Sequence, residues 1–316
     1  MSESRSRSLG RRIGVLALVV LAALGLRLAN ANPAQSQTTT LQAWRVDRDP
    51  SMNPMADVWR AISPIAVPLT AQQATYPFGG GTVAEVQAKA VHYKDLLYLH
   101  LEWADGSQDV STDQVTHFAD AVAVEFPSKA ASSVPSVCMG QADAGVNIWQ
   151  WRADRQPNLA ASDPGDRPLV DYYPSRDDLW FPARQAGNPY DAQAGNPVQN
   201  LVARSFGTIG PAAEQPVTGQ GAYEGGNWQV VLSRSYASAG DDQPTFATGD
   251  TTDIAFAVWD GSNGDRDGKK QVGQFVRLTF SQDSAVPGGE WLKIVMPLAL
   301  LIPILVLMVR GGRSQP

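Results

Sequence analysis

The sequence of 316 residues contains one cysteine, Cys138. A single thiol cannot form a disulfide within the chain. It also cannot supply the paired cysteines of a CxxC zinc site, an all-cysteine iron–sulfur site or the CxxCH sequence that attaches c-type haem. Any cofactor must therefore be held by other side chains.

The chain also lacks a lysine- and arginine-rich run, and its formal net charge is −6. Neutralising the phosphates of a nucleic acid needs a clustered basic surface. We therefore expect no nucleic-acid partner.

Sequence signatures of hydrolytic enzymes are missing as well, because there is no GxSxG and no HExxH. The three histidines are His92, His100 and His117. If one straight strand carried His92 and His100, they would lie about 26 Å apart and could not share a metal. We expect packing or surface roles for them, and no catalytic residue in this chain.

Long helical periodicity is absent from the central part of the chain, where apolar and polar residues alternate with period two. In residues 97–103 the leucines and Trp103 share one face, while Tyr98, His100 and Glu102 share the other. Similar segments lie at residues 120–126, 146–152, 228–233, 253–259 and 274–280. Strands without intervening helices predict a mainly β fold, an antiparallel β-sandwich.

One long segment, residues 154–198, is rich in Pro, Asp and Gly and has no clear alternation. A loop of this length is usually functional or packs on a partner. The simpler interpretation is an ordered insertion that lies over the sheet.

Four arginines at the N-terminus precede the uncharged residues 13–26, and Ala29-Asn30-Ala31 follows. This order is typical of a signal peptide, which we assign to residues 1–31, with a polar linker at 32–40. An uncleaved anchor helix is the alternative. Export would place the following domain, residues 41–284, outside the cytoplasm.

The C-terminal residues 291–309 are apolar apart from Lys293, and Arg310 and Arg313 follow them. This pattern predicts one transmembrane helix, with Trp291 at the outer interface and the arginines on the cytoplasmic side. We assign residues 285–316 to this anchor and a short cytoplasmic tail; a buried hairpin of helices is the alternative. The domain would then sit on the periplasmic, extracytoplasmic face of the cytoplasmic membrane.

Two segments carry residues that could hold a cofactor. Met139 lies in a glycine-flanked turn just before a predicted strand with two tryptophans, and Lys270 lies in a glycine-rich loop between two predicted strands. By composition alone, Met139 could equally fill the core and Lys270 could be a solvated loop charge.

These segments resemble the haem b-binding subunit of the periplasmic molybdenum enzymes of the ethylbenzene dehydrogenase, dimethyl sulfide dehydrogenase and chlorate reductase group. The likeness extends from about Trp59 to Phe280 and rests on the order and spacing of short motifs. They lie at residues 59, 67–69, 72–73, 101–105, 118–127, 139–140, 146–149, 186–188 or 194–196, 226–231 and 259–264.

The resemblance implies that a methionine sulfur and a lysine nitrogen bind the haem b iron. The methionine corresponds to Met139 and the lysine to Lys270, with Lys269 as the fallback, and Asn147 and Trp149 would contact the cofactor. Lysine binds iron only as the neutral amine. Because burial in an apolar pocket lowers the pKa of a lysine, the resemblance implies that such a pocket surrounds the iron. With both axial positions filled, the haem would relay electrons without bond chemistry.

The resemblance also implies a hetero-oligomer with a molybdopterin catalytic subunit and an iron–sulfur subunit. Electrons would pass to or from a membrane or periplasmic carrier, such as a cytochrome c or a quinone-linked partner. One departure is the predicted membrane anchor, since members of this group are often soluble. Two other hypotheses are a haem-free carbohydrate-binding sandwich, with Trp149 and Trp151 stacking on sugars, and a purely structural anchor.

Overall fold

The computed structural model describes residues 39–156 and 196–284, except residues 75, 113, 130, 138 and 239. The predicted signal peptide, most of the linker, Cys138, most of the insertion and the predicted membrane helix lie outside the described residues. Within the described part of the chain, no helix is both long enough and apolar enough to cross a membrane.

Strands dominate the described residues, with one short α-helix and one 3-10 turn, so the mainly β prediction is confirmed. The elements in chain order are β1 (Thr40–Arg45), α1 (Asp57–Arg60), β2 (Ile65–Pro68), β3 (Thr70–Ala71), β4 (Glu85–Tyr93), β5 (Leu96–Ala104), β6 (Ala121–Pro127), β7 (Val146–Arg152), the 3-10 turn (Ala153–Arg155), β8 (Val198–Ala203), β9 (Gly210–Pro211), β10 (Thr218–Glu224), β11 (Asn227–Ser235), β12 (Thr251–Trp259), β13 (Gln271–Val272) and β14 (Val276–Ser284). The six segments with predicted alternation all fall on strands: β5, β6, β7, β11, β12 and β14.

The strands join in the order β10-β11-β5-β4-β1-β14-β12-β6-β7-β8-β9, with β2 beside β4 and β13 beside both β12 and β3. The expectation of a wholly antiparallel sheet is wrong, because β1 runs parallel to both β4 and β14. Parallel neighbours need a long connection instead of a hairpin. The segment with α1, β2 and β3 connects β1 to β4, and period-two alternation does not reveal such a pairing.

Strand β12 belongs to two layers. Its residues 251–254 pair with β14, while residues 255–259 pair with β6. The two halves of the sheet face each other across a shared apolar core, where the rings of Trp151 on β7 and Trp228 on β11 lie 5.1 Å apart. The strands β10, β11, β5, β4, β1 and β14 form one layer, and β6, β7 and β8 belong to the other.

The outer face of the first layer is covered. Tyr98 and His100, on the predicted polar face of β5, are 4% and 1% exposed. Trp59 of α1 packs there, with its ring 4.9 Å from that of His100. β5 is therefore buried on both faces, more deeply than the alternation predicted.

The outer face of the second layer carries a separate apolar cluster. Its buried members are Ala121, Ala123, Val146, Ile148, Leu201, Ala203 and Trp259. Alternation along β6 and β7 sends these side chains away from the central core. This face supports the candidate site.

Candidate functional site

A cavity of about 580 Å³ lies against the outer face of the second layer. This volume is within the range of cofactor and ligand sites, about 300–1,000 Å³. Most of the wall surface is apolar, and several polar and charged side chains also line it. It includes Tyr76, Phe118, Met139, Ile148, Gln150, Arg152, Gln199, Leu201, Ile209, Trp259, Asp265, Arg266 and Lys270.

Met139 reaches this wall from the turn between β6 and β7, and it packs against the outer apolar cluster. Met139 and Gly140 have φ angles of 70° and 71°. A left-handed conformation is unfavourable for a side chain such as methionine, so the surrounding structure must maintain it. A Cβ atom at position 140 would lie 2.7 Å from the carbonyl oxygen of Ala144, so only glycine fits beside Met139.

Lys270 reaches the same cavity from the loop between β12 and β13. The residue is 8% exposed, and its Nζ lies 4.9 Å from the ring centroid of Trp259. Its backbone is held by the segment before β4, because its carbonyl accepts the N–H of Gln72 at 2.9 Å and its own N–H donates to the carbonyl of Gly79 at 3.2 Å. The two expected iron ligands therefore line one cavity, although 130 positions separate them in the sequence.

Lys269, the fallback ligand, is directed elsewhere. Its ammonium group donates to the carbonyl of Asn263 and lies 3.6 Å from Asp265. It is not among the residues that line the cavity. The geometry thus favours Lys270 over Lys269.

Asn147 and Trp149 lie on the inward face of β7 and are fully buried. Asn147 donates to the side chain of Asn200 at 2.7 Å and accepts the indole N–H of Trp149 at 2.8 Å. Contact with a cofactor in the cavity does not fit this placement, because Ile148 and Gln150, on the opposite face of the strand, line the cavity instead. The aromatic part of the wall comes from Tyr76, Phe118, Phe206 and Trp259, which the sequence analysis did not assign to the site.

Exposed tryptophans on β7 were the basis of the carbohydrate hypothesis, and this expectation is wrong. Trp149 and Trp151 are both 0% exposed. Trp149 stacks under the guanidinium group of Arg234, and Trp151 packs on Trp228. Neither indole can present a face to a sugar.

Glu125 is a site residue that the sequence analysis missed. It lies on β6, on the same face as Ala121 and Ala123, and is 8% exposed. Burial raises the pKa of Glu125 to about 8, although Lys270 and a hydrogen bond from the backbone N–H of Met139 oppose this shift. Its Oε1 has no hydrogen-bond partner among the described residues. The available signal was a lone acidic residue inside an otherwise apolar strand.

The histidines play no part in the cavity wall. His92 and His100 lie on paired strands, β4 and β5, and not on one strand. The Nε2 atom of His92 is 2.7 Å from the carbonyl of Ser281, and that of His100 is 3.1 Å from the carbonyl of Pro54. Burial lowers the pKa of His100 to about 4, so this ring is neutral at pH 7. Their packing roles agree with the expectation.

Comparison with known proteins adds an independent observation. The sequence model of the family described as ethylbenzene dehydrogenase matches residues 56–271. This range includes Met139, Glu125 and Lys270.

Three relatives match over much of the chain. The "Putative respiratory nitrate reductase heme subunit ORF7" of Haloferax mediterranei is 26% identical over 92% of this chain and 88% of its own length. The dimethylsulfide dehydrogenase subunit gamma of Rhodovulum sulfidophilum is 33% identical over 58% of this chain and 56% of its own. The chlorate reductase subunit gamma of Ideonella dechloratans is 26% identical over 85% of this chain and 96% of its own.

Proposed function

We propose, because the chain belongs to the ethylbenzene dehydrogenase family, that it is a non-catalytic, haem b-binding electron-transfer subunit of a molybdopterin oxidoreductase complex. The observation that carries this proposal is the convergence of Met139 and Lys270 on one cavity. The name of the Haloferax relative contains the words "heme subunit", which supports the choice of cofactor.

The residues around the cavity fit a haem. A thioether and a primary amine are both iron ligands when the amine is neutral, and most of the surface of the cavity that they line is apolar. When bound, haem supplies a one-electron couple whose potential depends on its axial ligands and on the polarity of the pocket.

Glu125 would help to keep Lys270 in the form that binds iron. Because burial raises the pKa of Glu125, the protonated form of its carboxyl group is favoured. The neutral acid provides no negative charge beside Lys270 that would stabilise an ammonium ion. Its hydrogen bond from the N–H of Met139 also connects it to the segment that carries the second ligand.

Two arginines of the cavity wall would bind the haem propionates. The guanidinium group of Arg266 lies over the ring of Phe118, and that of Arg152 is held by Asp154 at 2.7 Å. Guanidinium groups bind carboxylates through charge-assisted hydrogen bonds. The proposal assigns Arg266 and Arg152 this role.

The partners in this proposal are a molybdopterin catalytic subunit and an iron–sulfur subunit, with a membrane or periplasmic carrier at the other end of the electron path. The gamma-subunit names of two relatives support a hetero-oligomeric complex. The signal-peptide pattern and the apolar residues 291–309 support a location on the outer face of the cytoplasmic membrane, with one C-terminal anchor.

The test is the absorption spectrum of the purified full-length chain produced in a haem-sufficient host. We expect a six-coordinate haem spectrum, and we expect Met139→Ala and Lys270→Ala to lose haem or to change its spectrum. Lys269→Ala is the matched control and should leave the spectrum unchanged. A colourless wild-type protein, or a spectrum sensitive to Lys269→Ala and insensitive to Lys270→Ala, contradicts the proposal.

A further inference from the structure

Three buried aspartates meet at one end of the second layer, beside the cavity but not in its wall. Asp105 follows β5, Asp120 precedes β6, and Asp260 follows β12. Their exposed fractions are 6%, 0% and 7%. One carboxylate oxygen from each lies within 4.8 Å of the others. We call these residues the aspartate cluster.

One oxygen of the cluster makes no hydrogen bond of normal geometry. Oδ1 of Asp105 accepts the backbone N–H of Ser107 at 3.1 Å, whereas Oδ2 of Asp105 is buried without such a bond among the described residues. The indole N–H of Trp103 interacts with this carboxyl group, but it is likewise buried and lacks a hydrogen bond of normal geometry. A buried carboxylate oxygen without a donor is costly, and in native structures it usually indicates an unseen water or ion. The free oxygen belongs to a residue that is more than nine-tenths buried.

The other two aspartates are held in place by donors from the same region. Asp120 accepts the indole N–H of Trp228 at 2.9 Å and the backbone N–H of Gly261 at 2.8 Å. Asp260 accepts the hydroxyl of Ser262 at 2.7 Å. These bonds orient the carboxylates, but they bring no positive charge.

Charge balance points to a missing cation. Oxygens of the three aspartates lie within 4.8 Å of one another. None of the three carboxylates takes part in an ion pair between described residues. The nearby Lys269 is paired with Asp265 and Asn263 instead.

We propose that Asp105, Asp120 and Asp260 bind a calcium ion. All three donors are oxygens, which favours a hard divalent cation over zinc or copper. Ca–O distances are about 2.3–2.6 Å, so oxygens on opposite sides of the ion are about 5 Å apart. The three oxygens fall within that span. Magnesium requires shorter bonds and retains several waters, which suits a buried cluster of three carboxylates less well.

The ion would join three segments that are distant in sequence. Asp260 begins the loop that ends at Lys270, and the same loop contributes Asp265 and Arg266 to the cavity wall. Calcium would fix the start of this loop against β5 and β6. The inference stands on the aspartate cluster and on the unbonded Oδ2 of Asp105, and it does not require haem.

The test uses the full-length chain, treated with a chelator and then dialysed, with calcium chloride as the only added ligand. Isothermal titration calorimetry should detect one calcium site, and about 1 mM calcium should raise the Tm by several degrees, because a ligand that binds only the folded state stabilises it. Asp105→Asn retains the size of the side chain and the Oδ1 acceptor. It should weaken calcium binding about tenfold or more and remove most of the rise in Tm.

Asp57→Asn is the matched control, because the side chain of Asp57 is 91% exposed and the substitution removes the same formal charge. It should respond to calcium as the wild type does. Asp105→Asn should still fold, because it removes one of three neighbouring buried negative charges. Its Tm without metal should equal or exceed that of the wild type. No calcium response in the wild type, an unchanged response in Asp105→Asn, or an equal response to magnesium would each overturn the proposal.

Discussion

At the scale of single residues, Glu125 connects the two candidate iron ligands. Its carboxyl group accepts the N–H of Met139 and acts electrostatically on Lys270. A buried carboxyl that ionises near an electron carrier changes the energy of the oxidised and reduced states differently. The effect of Glu125 should therefore be visible in the redox potential as well as in stability.

Replacement of Glu125 by Gln tests this connection. In the wild type, burial raises the pKa of the carboxyl group, and the negative charge that forms on ionisation favours oxidised iron. We therefore expect the midpoint potential to fall as the pH rises through this raised pKa, by at most about 59 mV per pH unit. Potentiometric titration should show a flatter dependence for Glu125→Gln, while Asp57→Asn keeps that of the wild type. An equal slope in Glu125→Gln contradicts this role.

Gly140 gives a second prediction at the residue scale. Gly140→Ala adds a Cβ atom 2.7 Å from the carbonyl oxygen of Ala144 at a φ of 71°. We expect a loss of about 1–3 kcal/mol in the free energy of unfolding and weaker haem retention, since the turn that carries Met139 must shift. Chemical denaturation and the haem-to-protein absorbance ratio measure the two effects.

Gly225→Ala is the control for this change. Gly225 has a φ of 59°, but no atom lies within 4 Å of an added Cβ. The control therefore carries the conformational strain without the clash, and haem retention should be unchanged. Equal haem loss in both variants would mean that the close approach at Gly140 does not position Met139.

At the scale of elements, the side chains of β7 alternate between the central core and the cavity, so the two faces of this strand have different roles. Asn147, Trp149 and Trp151 face the central core, whereas Ile148, Gln150 and Arg152 face the cavity. The side-chain oxygen of Asn147 accepts hydrogen bonds from Trp149 and Arg234. Its amide nitrogen donates hydrogen bonds to the side chain of Asn200 and to the carbonyl of Leu201. One face of the strand stabilises the fold, and the other forms the site.

Substitutions on adjacent positions of β7 should therefore have different effects. Asn147→Ala leaves several buried polar groups unpaired and should lower the free energy of unfolding by about 2–4 kcal/mol. The spectrum of the folded, haem-loaded fraction should not change. Ile148→Ala removes an apolar side chain from the cavity wall and should alter the haem spectrum. Urea denaturation measures the change in stability, and absorption spectra measure the change at the haem. A changed spectrum in Asn147→Ala would contradict the different roles of the two faces of β7.

At the scale of the whole molecule, buried acids make stability depend on pH in an unusual direction. The pKa values of Asp105, Asp120 and Glu125 are raised to about 6, 7 and 8, chiefly by burial. Between the ordinary and the raised pKa values, the folded state binds more protons than the unfolded state. The stability from these protons is fully present below about pH 4 and is lost as the pH rises through the raised values.

In calcium-free protein, the contribution of these three groups to the free energy of unfolding should therefore fall between pH 5 and pH 8. Urea denaturation at several pH values measures the slope. Under the calcium proposal, an added ion stabilises the ionised forms of Asp105 and Asp120, so calcium should flatten the decline. A calcium-free protein whose stability rises over this range would contradict the raised pKa values.

The sequence by itself determined the class of the fold and the identity of the candidate iron ligands. Alternation with period two is a local consequence of strand geometry, so β5, β6, β7, β11, β12 and β14 could be located without a structure. The roles of Met139 and Lys270 came from the resemblance to a known family, which could be recognised because the motifs that contain them are short continuous segments.

Only the tertiary structure decided which faces are covered and which distant residues meet. Alternation places neighbours on opposite faces, but it does not say which face another element covers, so β5 is buried on both sides and Trp149 points inward. The parallel pairing of β1 and the meeting of Asp105, Asp120 and Asp260 depend on long connections between strands. Such contacts leave no periodic signal, because residues close in space are there far apart along the chain.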